Sequence, residues 1–302
     1  MVPAIDSMAE NNTGSRLVWH ITAFVVSVIW GATFVSTKTL INAGLTPAVI
    51  FAQRFALAYL SLLPFCHKRL FCRTLRHEVC MILLGITGGS LYFLAENMAL
   101  EHTMATNVSM IVCSCPLFTT VMVCAVMRQR LNARQWTGTL LALAGMVAVV
   151  LNGRIVLHLS PLGDILAFAA CLMWTFYSLI LKAVDRYEAM FVCRKVFFYG
   201  LLTIIPYLLF FDNFPLASLP TLCDHIVVAN LLFLGFVAST LCFLLWTVCV
   251  KRLGTIETTN YVYVNPMSTA CLAYLVLDER ITLGFALGAC MIMVGLWLAN
   301  RH

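Results

Sequence analysis

Two ionisable residues, Arg54 and Glu96, stand inside long apolar stretches of this sequence. A charge near the centre of a bilayer costs at least roughly 2.5 to 3.5 kcal/mol on insertion scales, so a charge at such a depth has to be explained. Two interpretations are open: a structural ion pair or interfacial snorkelling, and a contact with a substrate or a proton. Because Glu96 is the clear acidic residue inside a stretch, coupling to protons through it is a hypothesis to test.

Large aromatic residues also lie well inside the apolar stretches. Trp30 and Trp174 do so, although tryptophan usually gathers at the membrane interface. Each indole N–H then needs a hydrogen-bond acceptor or water. We expect these two residues, with Tyr92, Tyr177 and Trp246, to form a wall that holds an apolar or aromatic solute. Ordinary packing is the alternative.

Pro116 and Pro266 interrupt two further apolar stretches. A proline inside a helix frees the carbonyl four residues before it, and a free carbonyl in a membrane is tolerated where protein or a watery cavity meets it. The polar residues near these prolines are Asn107, Ser114, Asn260, Tyr263 and Asn265. We therefore expect both proline-broken helices to line a cavity; the alternative is a kink that neighbouring helices satisfy, capped by Asn265.

The elements that carry these residues are membrane segments. Hydrophobic residues make up 62% of the 302 residues and charged residues 11%, and the mean hydropathy is +0.93, which a soluble domain of this length does not show. Apolar stretches close to the roughly 20 residues that cross a bilayer recur. They lie near 17–37, 47–66, 79–99, 105–126, 135–152, 162–181, 191–211, 226–249, 256–277 and 282–299. The prediction is an all-α membrane protein with ten transmembrane helices.

The two halves of the chain repeat the same residues in the same order. Five pairs are 150 residues apart: Gly85 and Gly235, Pro116 and Pro266, Arg130 and Arg280, Gly138 and Gly288, Gly145 and Gly295. Upstream, Trp30 corresponds to Trp174, and Phe51-x-x-Arg54 corresponds to Phe191-x-x-Arg194. The sequence therefore predicts a tail over 1–16 and two five-helix repeats, over 17–153 and 154–302.

The basic residues predict the orientation of these helices. Most of the 19 lysines and arginines fall in the loops after segments 2, 4, 6 and 8, and cytoplasmic loops are the basic ones. Both termini are then cytoplasmic, and an odd number of helices per repeat makes the repeats inverted. Lys182, Arg194 and Lys195 are expected to snorkel to the cytoplasmic face. The net charge of +6 is explained by these loops, so no nucleic-acid partner is expected.

Cysteines and glycines are interpreted as packing residues. The cysteines of the apolar stretches, Cys124, Cys171, Cys242, Cys249, Cys271 and Cys290, behave there as small hydrophobes. No metal site and no cofactor is predicted. Glycines four apart, as in Gly85-x-x-x-Gly89 and Gly284-x-x-x-Gly288, permit close helix contact in lipid, either within the chain or in a homodimer.

Together these residues resemble the EamA-type branch of the drug/metabolite transporter superfamily. The resemblance covers essentially the whole chain and rests on Trp30-Gly31-x-x-Phe34, Arg54, the two proline-broken helices, and Asp278-Glu279-Arg280-Ile281 followed by Gly288 and Gly295. It implies a bacterial inner-membrane carrier that exports amino acids, metabolites or toxic compounds through a central cavity. One departure is Gln129-Arg130 in the first half, where the second half has Glu279-Arg280.

The predicted function is secondary transport of a small solute by alternating access around a site between the repeats. The sequence has no Gly-rich nucleotide-binding loop that ends in Gly-Lys-Ser/Thr, so a gradient, an exchanged solute or simple facilitation must drive the flux. A membrane enzyme and a signalling or partner-binding membrane protein are the alternatives. A membrane enzyme would need a catalytic set of residues at membrane depth, and a signalling protein would need a sizeable loop or tail domain.

Overall fold

The computed structural model describes residues 13–66, 71–128, 130–151, 160–212, 224–277 and 283–300. Within these ranges the regular structure is helical, and we number the helices α1 to α10. Their bounds are α1 Thr13–Asn42, α2 Pro47–Leu62, α3 Leu75–His102, α4 Ala105–Met127, α5 Ala133–Leu151, α6 Pro161–Ala183, α7 Ala189–Phe210, α8 His225–Leu253, α9 Thr255–Leu277 and α10 Leu283–Asn300. Several predicted segments are extended at their ends, most of all the first.

Six of the described helices are long and apolar enough to cross a membrane: Arg16–Asn42, Leu75–His102, Asn107–Val126, Pro161–Ala183, Ala189–Phe210 and His225–Leu253. Pro47–Leu62 and Ala286–Asn300 are shorter apolar helices. Large apolar side chains such as Phe210 and Leu209 are exposed on the outside of the bundle, as expected of a surface that contacts lipid. The chain is therefore a helical, multi-pass membrane protein, as predicted, while the count of ten spans stays a prediction.

The same irregularities interrupt corresponding helices of the two halves. A π-helical segment divides α3 at Ile86–Ser90 and another divides α8 at Phe233–Leu241. Ahead of Pro116, α4 breaks between Val112 and Cys115, and ahead of Pro266 the helix α9 tightens into a 3₁₀ turn over Tyr261–Val264. The two prolines break both helices because neither can donate the hydrogen bond that would continue the helix.

The contacts of the halves mirror one another. Helix α3 packs on α6 and α7, as α8 packs on α1 and α2. Helix α5 pairs with its counterpart α10, and the pair is antiparallel: a Cβ atom at Gly138 would lie 2.3 Å from Ala299 N, and one at Gly145 would lie 2.7 Å from Gly288 O. These glycines are thus used inside the chain, which the packing interpretation requires; a homodimer remains an untested prediction.

Two ends of the bundle are defined by charged side chains. At the Glu78 end, where α3 and α7 begin, the Glu78 carboxylate accepts hydrogen bonds from Lys195 Nζ and Tyr199 Oη. Helix α8 ends there too, because Lys251 Nζ donates to the Tyr187 carbonyl between α6 and α7. At the opposite, Lys38 end, Lys38 Nζ donates to the Leu100 carbonyl over 2.5 Å.

The prediction that Arg194 and Lys195 snorkel is wrong. Both are 3% exposed, because each finds a partner inside the bundle: Arg194 Nη1 donates to the Cys66 carbonyl over 2.6 Å, and Lys195 pairs with Glu78. A buried charge is acceptable when it is paired. Cys271 and Cys290 are exposed rather than packed.

Several predictions fall outside the described residues. They concern most of the tail over 1–16, Gln129, the Asp278-Glu279-Arg280 run, and the boundary between the repeats at 153 and 154. The domain bounds therefore stay predictions.

Candidate functional site: a cavity between the two halves

A cavity lies inside the helix bundle, where α1 to α4 meet α6, α8 and α9. The space that its walls leave free of atoms totals about 430 Å³, including the part open to the outside. Its lining consists of Trp30, Thr33, Phe34, Arg54, Tyr92, Phe93, Glu96, Val112, Cys115, Trp174, Phe243, Val262 and Asn265. Both halves of the chain contribute to it.

Part of this lining comes in pairs of corresponding positions. The pairs are Trp30 and Trp174, Phe93 and Phe243, Val112 and Val262, and Cys115 and Asn265. Such pairs meet only where the two repeats approach each other. The cavity therefore lies at the interface that relates the two halves.

The remaining lining residues all belong to the first half: Thr33, Phe34, Arg54, Tyr92 and Glu96. Both of the charged side chains that line the cavity are among them. Apart from Asn265, the paired residues form an apolar and largely aromatic base, and the first half alone adds the charges.

The aromatic wall is built around Trp30 and Trp174. Their ring centroids are 5.2 Å apart with planes at 89°, the edge-to-face arrangement that aromatic pairs prefer. Phe243 packs against Trp30 with a centroid distance of 5.7 Å, and Tyr92 against Trp174 at 5.1 Å. Each of these rings packs against its neighbours, so the shape of the aromatic wall is set by contacts among its own side chains.

The π-helical segment of α8 anchors the residues opposite it. Trp30 Nε1 donates to the Ala238 carbonyl over 3.0 Å, and Arg54 Nε donates to Ser239 Oγ, also over 3.0 Å. Single-turn π segments shift the hydrogen-bond ladder of a helix and are frequent at functional sites. Two neighbouring residues of α8 thus orient one side chain of α1 and one of α2.

Arg54 is 1% exposed and has a second contact besides Ser239. Its guanidinium carbon lies 4.2 Å from the centroid of the Phe93 ring, a cation–π geometry. Its Nη1 atom has no hydrogen-bond partner. Arg54 therefore presents an unused donor in the wall of the cavity.

Three other lining residues have buried polar atoms without a hydrogen-bond partner. They are Glu96 Oε2, Asn265 Oδ1 and Trp174 Nε1. Arg54 and Glu96 share the cavity without a direct ion pair: in the described part of the chain, the lysine and arginine pairs within 4.0 Å are Arg16 with Glu257 and Lys195 with Glu78. Buried polar groups in native proteins rarely stay unsatisfied, so these atoms are the candidates for hydrogen bonds with a polar solute or water.

The structure brings together some of the predicted site residues. Trp30, Tyr92, Glu96, Trp174 and Asn265 line the cavity, as does Arg54. Tyr177 and Trp246 lie one layer behind, with ring centroids 5.0 Å from Trp174 and 4.7 Å from Trp30 respectively. Pro116 and Pro266 each directly follow a lining residue, Cys115 and Asn265.

Four predicted residues lie away from the lining in this conformation. Ser114 Oγ donates to the Ile111 carbonyl over 2.6 Å, and Asn260 Nδ2 donates to Asn300 Oδ1 over 3.4 Å. Asn107 Nδ2 donates to Thr103 Oγ1 over 3.4 Å. Tyr263 is fully buried. These residues were predicted because they are polar and lie near a proline. That pattern does not indicate the face of the helix on which a residue lies.

Sequence reasoning did not single out the apolar lining as part of the site. Phe93 and Phe243 are the clearest case, because they are 150 residues apart, like the glycine and proline pairs. The same spacing relates Val112 to Val262 and Cys115 to Asn265. Asking which residues occupy corresponding positions in both repeats would have found five lining residues in addition to Asn265, which is already predicted from the sequence.

Outside the membrane segments, two thiols near the Glu78 end are perturbed. Burial, reinforced by the nearby Glu78 carboxylate, raises the pKa of Cys72 to about 11. Burial also raises the pKa of Cys66, while Arg194 opposes that shift. Both cysteines are therefore thiols rather than thiolates at neutral pH, and thiols are weak nucleophiles and weak metal ligands.

Comparison with known proteins is consistent across nearly the whole chain. The model of the EamA-like transporter family matches residues 17–151 and again residues 161–301. The chain is similar to a "Probable amino-acid metabolite efflux pump" of Escherichia coli K12, at 28% identity over 91% of this chain and 92% of that protein. It is also similar to an uncharacterized transporter of Archaeoglobus fulgidus, at 25% identity over 94% of this chain and 98% of that protein.

Two further similarities agree with these. A "Probable terminal-alkyne amino-acid exporter" of Streptantibioticus cattleyicolor is 23% identical over 95% of this chain and 94% of its own length. One solved crystal structure superposes with a TM-score of 0.72 at 17% sequence identity, over 93% of this chain and 97% of that one. The structural likeness supports the fold alone.

Proposed function

The chain belongs to the EamA-like transporter family, and from that membership we propose that it exports a small metabolite from the cytoplasm by alternating access. The protein is thus a membrane transporter, and an amino acid is the solute that its cavity fits best. The site of action that we propose is a bacterial inner membrane, with both termini in the cytoplasm.

The choice of an amino acid as the solute rests on four buried polar atoms of the cavity lining that have no hydrogen-bond partner. Arg54 Nη1 and Trp174 Nε1 are donors, whereas Glu96 Oε2 and Asn265 Oδ1 are acceptors. A free amino acid has a carboxylate for the donors and an ammonium group for the acceptors. A hydrogen bond to a charged group is worth about 1.5 to 3 kcal/mol, so a zwitterion gains more here than an uncharged solute.

The aromatic base of the cavity favours an apolar or aromatic side chain on that solute. Trp30, Phe93, Trp174 and Phe243 present ring surface to the cavity. A nucleotide sugar carries more negative charge than the one arginine of the lining can balance.

Alternating access is supported by the relation between the halves. Corresponding helices such as α5 and α10 run antiparallel, and the contacts of one half are mirrored in the other. Transporters with inverted repeats bind near the midplane and rock one bundle against the other. The cavity occupies that position, in the middle of α1, α6 and α8.

The orientation is supported by charge. The Glu78 end of the bundle has Arg73, Arg76, Lys182, Arg186, Lys251 and Arg252 at the starts and ends of its helices. Cytoplasmic loops carry the excess of basic residues. We therefore assign the Glu78 end to the cytoplasm and the Lys38 end to the outside.

Flux in proteoliposomes tests this function. The purified protein is reconstituted, and uptake of neutral amino acids, nucleobases and cationic dyes is measured at two values of internal pH. We expect saturable flux of at least one amino acid with an apolar or aromatic side chain. Arg54→Met should abolish that flux, whereas Arg76→Met, at an exposed arginine of α3, should leave it unchanged.

Two results would contradict the proposal. Absence of saturable flux for every compound would exclude a carrier of small solutes. Preference for cationic dyes over all zwitterions would show that Arg54 does not bind a carboxylate. A flux that does not change when a pH gradient is imposed would exclude proton coupling. The carrier function would then stand, with facilitation or exchange as the mode of transport.

A further inference from the structure

The charged and polar lining that the first half adds to the cavity has counterparts in the second half. The repeat relates Glu96 to Trp246 and Tyr92 to Cys242, which are 150 residues apart. Nearer the start of each half the offset is smaller: Thr33 corresponds to Tyr177 as Trp30 does to Trp174, and Arg54 corresponds to Arg194 as Phe51 does to Phe191. None of the four counterparts Trp246, Cys242, Tyr177 and Arg194 lines the cavity as seen here. They form a set equivalent in position and different in chemistry.

These counterparts are buried in the present conformation. Tyr177, Trp246 and Cys242 are each 0% exposed, and Arg194 is 3% exposed. Tyr177 and Trp246 nevertheless touch the tryptophans of the cavity wall. Only one layer of side chains separates them from the solute space.

Counterparts lie toward opposite ends of the bundle. Glu96 is six residues before the end of α3 at His102, near the Lys38 end, and Trp246 is seven residues before the end of α8 at Leu253, near the Glu78 end. The cavity as seen here therefore reaches from the middle of the bundle toward the Lys38 end.

We propose that Arg194, Tyr177, Cys242 and Trp246 form a second lining, which replaces Arg54, Thr33, Tyr92 and Glu96 when the cavity opens at the Glu78 end. The inference rests on the proposed alternating access. When inverted repeats exchange conformations, each residue takes up the surroundings that its counterpart has now. The paired residues, such as Trp30 and Trp174, stay in the lining in both states.

An unsatisfied atom in the second half supports the proposal independently. Trp246 Nε1 is buried and has no hydrogen-bond partner. Leaving a buried donor unsatisfied costs about 1 to 3 kcal/mol, and native proteins tolerate that cost when the group has a partner in another state or a function. Exposure to the cavity in the second state would give this indole N–H water or a solute acceptor.

The second lining has a different chemical preference from the first. An arginine is present in both sets, so a carboxylate finds a partner in either state. The carboxylate of Glu96 has a tryptophan as its counterpart, so an ammonium group finds an anionic partner in only one state. A zwitterion should consequently bind more tightly from the Lys38 side than from the Glu78 side, and an acid that lacks the amino group should show a smaller difference.

Native cysteines allow the second lining to be observed directly. Membrane vesicles of both orientations are treated with a membrane-impermeant maleimide, and the labelling of each cysteine is read by peptide mass spectrometry. Cys242 belongs to the second lining, Cys115 to the shared lining, and Cys249 is an equally buried cysteine of the same helix whose counterpart, Ala99, lies outside the cavity lining.

We expect Cys242 to be labelled from the Glu78 side at least about tenfold faster than Cys249, because even a state populated at about 0.1 to 10% exposes it repeatedly. Cys115 should be labelled from both sides. Labelling of Cys115 without Cys242 from either side would overturn the second lining, while the carrier function would still stand if the same vesicles show saturable flux.

A conservative variant provides a kinetic test that does not depend on thiol chemistry. Trp246→Phe keeps an aromatic ring and removes the N–H, and Trp136→Phe in α5 is the matched control. We expect Trp246→Phe to raise the KM on the Glu78 side about three- to tenfold and to leave the KM on the Lys38 side unchanged. An unchanged KM on both sides, in a wild-type background that transports, would overturn the inference. If wild-type protein shows no flux, the proposed function itself fails.

Discussion

The hydroxyl of Ser239 holds the guanidinium of Arg54, with Nε and Oγ 3.0 Å apart and 185 residues between them in the chain. The contact joins α2 of the first half to the π-helical segment of α8 in the second. It fixes the only arginine that lines the cavity among the described residues. The position that corresponds to Ser239 in the first half is Gly89, so the second half alone supplies this hydroxyl.

Ser239→Ala should weaken solute binding through Arg54. The substitution removes a hydrogen bond to a charged group, and a loss of about 1.5 kcal/mol corresponds to about a tenfold rise in KM. Transport kinetics measure this, with Ser61→Ala as the control, because Ser61 also bonds to α8, at Thr240 Oγ1 over 2.9 Å, outside the cavity. Equal effects of both variants would mean that Ser239 acts only through packing.

Glu96→Gln tests whether the Glu96 carboxylate binds the ammonium group of the solute. The change keeps the shape of the side chain and removes its negative charge, so the affinity for a zwitterion should fall about tenfold or more while an acid without an amino group is affected less. Glu101→Gln, at an exposed position of the same helix, serves as the control. Full activity and unchanged pH response of Glu96→Gln would exclude both the binding and the coupling hypotheses.

Lys195→Met should strongly destabilise the protein. Lys195 is buried and Glu78 partly buried, with side chains 4% and 13% exposed, and removal of the lysine leaves the carboxylate without its cation at a cost of about 3 kcal/mol. The comparison is Arg16→Met, since Arg16 is 49% exposed in its pair with Glu257 and such pairs contribute about 0 to 1 kcal/mol. Thermal unfolding in detergent should separate the two variants clearly, and similar midpoints would refute the assignment.

Gly145→Ala should loosen the contact between α5 and α10. A Cβ atom there would lie 2.7 Å from both Gly288 O and Ile292 N, and these backbone atoms cannot move without shifting the whole helix. Overpacking of this kind costs about 1 to 3 kcal/mol. Ala144→Val, one residue away on the exposed face, should be nearly neutral in the same unfolding measurement.

The Cys72 thiol should resist alkylation at neutral pH. Its pKa is raised to about 11, first by burial and then by Glu78, and the reactive thiolate therefore accumulates only as the pH rises toward that value. Per-cysteine labelling rates between pH 7 and pH 10 should keep increasing without a plateau. In Glu78→Gln the profile should shift to lower pH, and a plateau near pH 9 in the wild type would show that the thiol is not shielded.

The helices and their order were predictable because hydrophobic runs and prolines act locally. The breaks before Pro116 and Pro266 appear where expected, since a missing N–H disrupts any helix. The π-helical segments at Ile86–Ser90 and Phe233–Leu241 were not predicted, because glycine and serine at those positions are compatible with an ordinary α-helix. In the first segment Gly89 departs from helical dihedral angles (φ −120°, ψ −105°) at the point where α3 packs closely on Gly200 of α7.

Side-chain depth was harder to predict than helix position. The sequence predicts Lys195 at the membrane surface, but its side chain lies buried against Glu78. The two residues are 117 positions apart in the chain, so no local sequence pattern indicates that they pair. The cost of placing charge in lipid singles out Arg54 and Glu96 in the sequence, but it leaves an ion pair, snorkelling and a substrate or proton contact open. Their arrangement around one cavity, without a direct ion pair, followed from how the two halves meet.

The sequence by itself determined that this chain is a duplicated helical membrane protein of the EamA kind, because hydrophobic length, proline position and repeat spacing are properties of the chain alone. Only the tertiary structure decided which polar atoms face the cavity. That choice depends on helix rotation and on contacts between residues more than a hundred positions apart, such as Trp30 with Ala238. It also decided that the charges of the cavity come from the first half, while Arg194 and Trp246 remain covered in the second.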